Sequence, residues 1–293
     1  MQTLTLGEVL WDIIEEKPYL GGAPLNVAAH LAKMGAESYL ISSLGKDELG
    51  EKALEKIRQI GLKPDYIFID PHRPTGTVDV FLHQGQPDYT IHQGVAWDHL
   101  QLTDTQKAEI YAKNWDFVII GVLAQRTENN QAFYHELFKN IQAKEIFLDI
   151  NLRKSFYSKA VLEESFRKAG ILKLNDEEVP IVADLFYHQA MDFDTFAARM
   201  IRDFDVRTVC LTLGKNGAKI YTETDSLHVP APKIQVADTI GAGDSFSAAF
   251  IYTLHRYGDV KLAAEKACTL GAFVASHAGA LPEYSKEILE LLK

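Results

Sequence analysis

The stretch Asp238-Thr239-Ile240-Gly241-Ala242-Gly243-Asp244 places two glycines and a carboxylate directly before a predicted helix, Ser245 to Tyr257. Gly241 and Gly243 permit backbone conformations in which successive N–H groups converge, and such a concave turn binds anions. The helix N-terminus adds a positive dipole end and further N–H donors. Asp244, a carboxylate beside an anion site, suits a base that deprotonates a hydroxyl group attacking a phosphoryl group. Taken alone, these residues are more typical of a plain turn with a helix-capping aspartate.

Two common nucleotide-binding patterns begin in this sequence but are not completed. Gly45 to Lys52 has the glycine spacing of a P-loop, but Glu51 stands where the lysine is required and would repel phosphate. Gly241 to Phe246 begins like a dinucleotide fingerprint, but Phe246 replaces the third glycine and no βαβ unit follows. A P-loop enzyme is therefore excluded. A nicotinamide oxidoreductase is disfavoured, and an absorbance test for turnover of reduced cofactor would decide it.

Composition limits the class of protein. Lysine and arginine number 30 and aspartate and glutamate 40, which gives a net charge of −10. Binding a phosphate backbone needs a basic face, so no nucleic-acid partner is expected. Cys210 and Cys268 lie in apolar runs without metal-ligand spacing, which is typical of buried thiols. Acidic residues such as Glu8 and Asp12 interrupt the first apolar stretch, and no apolar run is long enough to span a bilayer. We therefore expect a cytoplasmic protein with no membrane partner.

Apolar strands alternate with helices along most of the chain. Leu4 to Val9 reads as the first strand, and Asn26 as the N-cap of a helix from Val27 to Met34 that Gly35 ends. This alternation predicts a buried, mostly parallel sheet and an α/β fold. The later strands are expected at 38–41, 117–120, 146–150 and 208–213, and the later helices at 47–60, 131–142, 159–168, 245–257, 261–276 and 284–292.

Two β-rich segments interrupt the alternation. Thr77–Leu82 and Tyr89–His92 flank the turn-like residues Gln84–Pro87 and predict a hairpin with one exposed face. Such a hairpin cannot easily join a parallel core, so it is a candidate lid or interface. Lys219–Thr222 and Leu227–Val229 predict a second hairpin.

The complete pattern D-T-x-G-A-G-D over residues 238–244 matches the signature of the ribokinase/PfkB family of carbohydrate kinases. Gly21–Asn26 resembles the sugar-binding glycine motif of that family, and Asp12 matches its sugar-contacting aspartate. Asn175–Glu178 resembles the N-x-x-E element, and Thr212–Gly217 resembles the nucleotide-binding T-x-G-x-x-G loop. Each element alone would be an ordinary turn or helix start. The resemblance rests on all of these elements occurring together, in the same order as in the family and over nearly the whole chain.

The resemblance implies a ribokinase-like three-layer α/β fold with a mostly parallel central sheet and a small β-sheet lid. It implies one kinase domain over residues 1–293, with lid segments at about 12–20 and 74–97. The expected ligands are ATP with Mg²⁺ and a small-molecule sugar. Many members pair two subunits through the lid, so a homodimer is also expected.

The resemblance also assigns site residues. Asp244 would be the catalytic base, and the backbone N–H groups of Gly241, Ala242 and Gly243 would hold the transferring phosphoryl group. The residues expected to contact the sugar are Asp12, Gly22, Asn26, Gln125 and Arg153, and those expected to contact the nucleotide are Asn175, Thr212, Gly214, Gly217 and Gly243. Glu178 would act on Mg²⁺ through water. A K⁺ site would be lined by Asp238 and Ile240, with residues 274–279.

Two interpretations stay open for some of the site residues. Asp149–Arg153 resembles a D-x-N-x-R element, in which Arg153 either holds a phosphate or forms a structural ion pair, for instance with Asp149. His92 and Trp97, near the expected lid, are candidates for substrate contact, although a lone histidine is more often structural.

The expected substrate is D-fructose, phosphorylated to fructose 6-phosphate, because Gly21–Ala28 and Gly7–Asp12 look most like bacterial fructokinases. Ribose, 2-keto-3-deoxygluconate and a nucleoside stay open as substrates. So does a catalytically silent sugar or nucleotide sensor on the same fold.

Overall fold

The computed structural model describes residues 1–83 and 86–292. Its strands form two separate sheets, one of nine strands and one of four. In chain order the strands are β1 (Gln2–Leu6), β2 (Leu10–Ile14), β3 (Lys17–Gly21), β4 (Glu37–Gly45), β5 (Ile67–Asp70), β6 (Gly76–His83), β7 (Gln86–Ile91), β8 (Asn114–Gly121), β9 (Gln142–Asp149), β10 (Ile171–Asn175), β11 (Thr208–Thr212), β12 (Ala218–Thr222) and β13 (Ser226–Val229).

The larger sheet has the order β13-β12-β11-β10-β9-β8-β1-β4-β5. All neighbouring strands from β5 to β11 pair in parallel, and β12 and β13 are antiparallel to their neighbours. The mostly parallel sheet predicted from the alternating strands and helices is thus confirmed, as is the hairpin of β12 and β13.

Helices cover both faces of this sheet. They are α1 (Ala23–Lys33), α2 (Glu48–Ile60), α3 (Asp104–Ala112), α4 (Glu128–Asn140), α5 (Lys159–Lys168), α6 (Glu178–Tyr187), α7 (Phe193–Phe204), α8 (Ala242–Tyr257), α9 (Val260–Ala275) and α10 (Lys286–Leu292). Side chains of a strand alternate between the two faces. Val118 and Ile120 of β8 accordingly join the core under α3–α7, while Phe117 and Ile119 join the core under α1, α8 and α9. The predicted three-layer α/β fold is confirmed.

The smaller sheet has the order β3-β2-β6-β7 and contains both segments expected to form the lid. β2 pairs antiparallel with β3 and parallel with β6, and β6 and β7 form the predicted hairpin. Of the predicted turn, Gln84 and Gly85 lie outside the described residues, while Gln86 and Pro87 belong to β7. Among the described residues, no helix is both long and apolar enough to cross a membrane.

The predicted start of α1 is wrong, and the difference matters for the site. The helix begins at Ala23 after Gly22, which has φ +113° and provides no side-chain cap, and Pro24 lies in the first turn. Proline has its φ preset for a first helical turn, so the helix begins before Asn26. Asn26 therefore lies inside the helix, and its amide is free to contact another element.

Candidate active site

The motif residues converge at the carboxyl ends of the parallel strands, beside the N-termini of α1 and α8. Asp149 is the last residue of β9, and Asn175 is the last residue of β10. Ligands of open α/β sheets bind in the crevice at this edge. The topology thus brings together elements that are far apart in the chain.

The glycine turn ends directly in α8. Gly241 has φ +77° and is the N-cap, so the helix begins at Ala242, three residues earlier than predicted, and Asp244 lies in its first turn. The Ala242 amide donates to the Thr239 carbonyl at 3.3 Å. Within the described chain, the amides of Gly241 and Gly243 have no acceptor. Two of the three expected N–H donors therefore remain available to an anion at a helix N-terminus.

Asp244 is held by α1. The Asn26 Nδ2 group donates to Asp244 Oδ2 at 2.8 Å, across 218 residues of sequence. Burial raises the pKa of Asp244 from 3.8 to about 6, although the Asn26 hydrogen bond opposes this shift. Lys173 and Arg153 also lower this pKa, whereas the Asp149 carboxylate raises it. The carboxylate is thus oriented by one hydrogen bond and has a greater proton affinity than an exposed aspartate.

Lys173 is a site residue that the sequence analysis missed. It is buried in β10, and its Nζ donates to Asp149 Oδ2 at 2.7 Å, which also accepts the Ser247 hydroxyl at 3.1 Å. A Cβ atom at Gly243 would lie 3.1 Å from Lys173 Nζ, so the ammonium adjoins the glycine turn. Burial disfavours this charge, but Asp149 and Glu178 outweigh burial and raise the pKa of Lys173. A charged residue inside an apolar strand is rare unless it is paired, and that was the available signal.

The pairing of Lys173 with Asp149 helps to decide between the two interpretations of Arg153, a phosphate contact or a structural ion pair. Asp149 pairs with Lys173, and the Arg153 side chain is exposed. The ion pair suggested between Arg153 and Asp149 is thus not the arrangement observed. Arg153 instead lies where its charge lowers the pKa values of Glu8, Asp12 and Asp244.

Asp12 and Glu8 form the acidic side of the cleft. Burial raises the pKa of Asp12 to about 6 and that of Glu8 to about 7, and Arg153 opposes both shifts. Glu8 was missed by the sequence analysis, which placed it inside a first strand from Leu4 to Val9, whereas β1 ends at Leu6. It lines a cavity of about 20 Å³ with Pro24 and Asp149. A Cβ atom at Gly22 would lie 2.4 Å from the Glu8 carbonyl oxygen, so only glycine fits there.

Three candidate residues are engaged elsewhere in the fold. The Gln125 amide donates to the Gly121 carbonyl and to the Ser165 hydroxyl, so both of its N–H donors are used inside the protein. Trp97 is buried under the Arg126 guanidinium, 4.0 Å from its ring centroid. His92 hydrogen-bonds Asp79 of β6. The structure therefore does not bring these three side chains to Asp244.

The nucleotide candidates lie at the ends of β10 and β11. Asn175 Oδ1 accepts from the Glu178 amide at 2.9 Å, and Glu178 Oε2 accepts from the Asn175 amide at 2.8 Å. Thr212 ends β11, and the loop after it turns through Gly214 and Gly217, both at positive φ. A Cβ atom at Gly217 would lie 1.9 Å from the Val229 carbonyl oxygen. The two elements are neighbours, because Asn175 pairs with Thr212 in the parallel register of β10 and β11.

The candidate metal contacts are single carboxylates. Both Glu178 oxygens already accept a backbone N–H, one from Leu152 and one from Asn175, but each carboxylate oxygen retains a second lone pair for water. Asp238 accepts from the Ile240 and Gly279 amides. Among residues 1–83 and 86–292, no group of three or more acidic, histidine or cysteine side chains could hold a metal. Water-mediated contact with a metal bound to phosphate fits this donor set, since Mg²⁺ retains its waters.

Comparison with known proteins identifies relatives of this arrangement. Residues 7–286 match the model of the pfkB family carbohydrate kinases. The fructokinase of Rhizobium leguminosarum bv. trifolii is 28% identical over 266 residues, covering 86% of this chain and 79% of that protein. The aminoimidazole riboside kinase of Salmonella typhimurium is 26% identical over 264 residues, covering 86% and 80%.

A solved structure shares the fold. A double mutant of the Vibrio cholerae O395 fructokinase, with fructose, ADP and a potassium ion bound, superposes with a TM-score of 0.80. It is 21% identical and covers 96% of this chain and 94% of its own. The family match extends from Gly7 to Lys286 and so includes the glycine turn and Asp244. The chain belongs to the pfkB family of carbohydrate kinases.

Proposed function

We propose that this kinase transfers the γ-phosphoryl group of ATP to a hydroxyl of a small sugar, D-fructose, giving fructose 6-phosphate and ADP. The observation that carries the proposal is the position of Asp244. Its carboxylate lies in the first turn of α8, beside two amides without protein acceptors, and is oriented by Asn26.

The proposed reaction assigns each group one task. Asp244 accepts the proton of the attacking sugar hydroxyl, whose oxygen forms a bond to the γ-phosphorus while the bond to the β–γ bridging oxygen breaks and ADP leaves. The N–H groups of Gly241 and Gly243 hold the charge of the transferring group. Removing one donor of this type costs on the order of 10²–10³ in rate. Because the Ala242 amide is already used by Thr239, we assign it a smaller part than expected from the sequence.

We assign the sugar to the crevice between Asp12, the Gly22–Asn26 turn and the small sheet, with Arg153 at its rim. Residues 1–293 would then act as one kinase unit, with β2, β3, β6 and β7 as its lid. The exposed side chains of Tyr19 and Tyr89 on the lid strands fit the proposed homodimer, which would bury them. Gln125 is not retained as a sugar contact, because its amide is used within the fold.

We assign ATP to the rim formed by Asn175, Thr212, Gly214 and Gly217. Mg²⁺ bound to ATP would neutralise phosphate charge, and Glu178 would hold one of its waters. Asp238 and Ile240, with residues 274–279, are the proposed K⁺ site. The location we propose is the cytoplasm, supported by the two buried thiols, Cys210 and Cys268, which form no disulfide.

Fructose is favoured by the turn Gly21–Ala28 and by the fructokinases among the relatives. With ATP and Mg²⁺, we expect D-fructose to be phosphorylated at the 6-position, as determined by NMR of the product. D-Ribose, 2-keto-3-deoxygluconate and a nucleoside complete the panel, the last because one relative is a riboside kinase. Phosphorylation of one of these sugars and none of fructose would contradict the assignment.

The raised pKa of Asp244 gives a pH prediction. A general base acts only when deprotonated, and the pKa of Asp244 is raised from 3.8 to about 6. The kcat/KM should therefore be constant above this pH and fall by about tenfold per pH unit below it. Asp12 titrates in the same range, so an Asp12→Asn variant is measured beside the wild type. The fall near pH 6 should persist in that variant. A profile that stays flat well below this pH would exclude Asp244 as the base.

A further inference from the structure

One face of α1 connects the sugar side of the site with a distant loop. Asn26, His30 and Lys33 are spaced by four and three residues, so their side chains lie on the same helix face. Asn26 contacts Asp244, whereas His30 and Lys33 contact the segment 280–284, which precedes α10. None of these contacts was visible in the local sequence pattern, because about 250 residues separate the partners.

The His30 contacts fix its protonation state. Nε2 lies 3.0 Å from the Ala280 carbonyl oxygen, which can only accept, so Nε2 carries the proton. Nδ1 therefore accepts the hydroxyl proton of Tyr284. The ring is fully buried, and burial followed by the charge of Lys33 lowers the pKa of His30 to about 3. A neutral imidazole with both nitrogens engaged holds the loop at two points.

Lys33 and the Tyr284 ring add further contacts. Lys33 Nζ donates to the Leu281 carbonyl at 3.0 Å and to the Pro282 carbonyl at 2.9 Å. The Tyr284 ring lies nearly parallel to the His30 ring, with a centroid distance of 5.8 Å and an interplanar angle of 9°. Three consecutive backbone carbonyls, from residues 280, 281 and 282, thus accept hydrogen bonds from α1.

The same loop packs against the glycine turn. A Cβ atom on Gly241 would lie 2.6 Å from Ala280 Cβ and 2.7 Å from Ala280 Cα, so the two backbones are in contact. The Gly279 amide donates to Asp238 Oδ2 at 3.1 Å. A displacement of residues 279–280 would therefore move both ends of the turn that holds the phosphate-binding amides.

We propose that His30, Lys33 and Tyr284 are positioning residues that form a clamp between α1 and residues 279–284, and that this clamp fixes residues 238–241, which lead into α8, relative to α1. Because α1 also orients Asp244 through Asn26, one rigid helix then places both the base and the anion-binding amides. The kinetic part of the inference rests on the proposed kinase reaction, whereas its structural part does not.

The test uses Tyr284→Phe, which keeps the ring but removes the hydroxyl, and Lys33→Met, which keeps the aliphatic stem but removes the ammonium. The matched control is Tyr221→Phe, which removes a hydroxyl that donates to Asp194 at 2.6 Å from β12, near the far edge of the sheet. Hydrogen–deuterium exchange of the unliganded proteins reports on the hydrogen-bonded amides within 238–243, which are those of Asp238, Ile240 and Ala242. We expect exchange there to become several-fold faster in both clamp variants and to stay unchanged in the control.

In sugar phosphorylation, the clamp variants should lose kcat by roughly ten- to a hundredfold with little change in the KM for sugar, because small misplacements of reacting groups are costly. A merely structural role would not separate kcat from KM in this way. Unchanged exchange at 238–243 together with a wild-type kcat would overturn the clamp. If the wild type phosphorylates no sugar, the proposed function fails, while the exchange measurement still decides the inference.

Discussion

Replacing Asp244 with alanine is expected to lower kcat for sugar phosphorylation by about 10²–10⁴-fold, the usual contribution of a general base. The KM for sugar should change little, because Asp244 acts on the hydroxyl proton in the transition state. Folding should not suffer. The pKa of Asp244 is raised above 3.8, so its charge is disfavoured in the folded protein at neutral pH, and its removal relieves that cost. The rate of ADP release measures kcat and KM, and a urea unfolding curve measures the stability of the fold.

The Asp244→Asn variant tests proton transfer separately from the local geometry of the site. Asparagine retains an oxygen that can accept from Asn26 Nδ2, so the local geometry is kept, but it cannot accept the hydroxyl proton. It should therefore be as slow as the alanine variant. Asp184→Ala, which removes an exposed carboxylate from α6, is the matched control and should turn over normally. Full turnover by Asp244→Asn would show that another group is the base.

The parts of the site that could be predicted from sequence are those in which a short pattern has one structural outcome. Gly241 and Gly243 were expected to form a turn with converging N–H groups; Gly241 has φ +77°, and the amides of Gly241 and Gly243 have no acceptor in the described chain. The helix expected at 47–60 is α2, whose N-cap is Asp47 and whose left-handed C-cap is Gly61. In these cases the residues that determine the conformation are neighbours in sequence.

The remaining contacts join residues distant in sequence, and local patterns do not contain them. Asn26 was interpreted as an N-cap because its type favours that position, yet Gly22 and Pro24 start the helix earlier and Asn26 contacts Asp244 instead. The partner of Asp149 was sought four residues away, at Arg153. The partner found is Lys173, which the parallel pairing of β9 and β10 places opposite Asp149. Register in a sheet is set by the whole fold, and one sequence does not give it.

Lys173→Met is expected to lower the free energy of unfolding by about 3–5 kcal/mol, the usual cost of removing one partner of a buried ion pair. The side chains of Lys173 and Asp149 are 8% and 7% exposed, and their charged atoms are 2.7 Å apart. Methionine has a similar volume, so the loss comes from the uncompensated Asp149 carboxylate rather than from a cavity. Urea unfolding followed by circular dichroism measures this change.

Lys144→Met supplies the comparison, because Lys144 also lies 2.7 Å from an aspartate, Asp116, but is 68% exposed. An exposed pair contributes about 0–1 kcal/mol, so this variant should be near wild type. Adding Asp149→Asn to Lys173→Met removes the stranded charge and should restore part of the lost stability. If Lys173→Met costs no more than Lys144→Met, the buried pair of Lys173 and Asp149 does not contribute the stability that we assign to it.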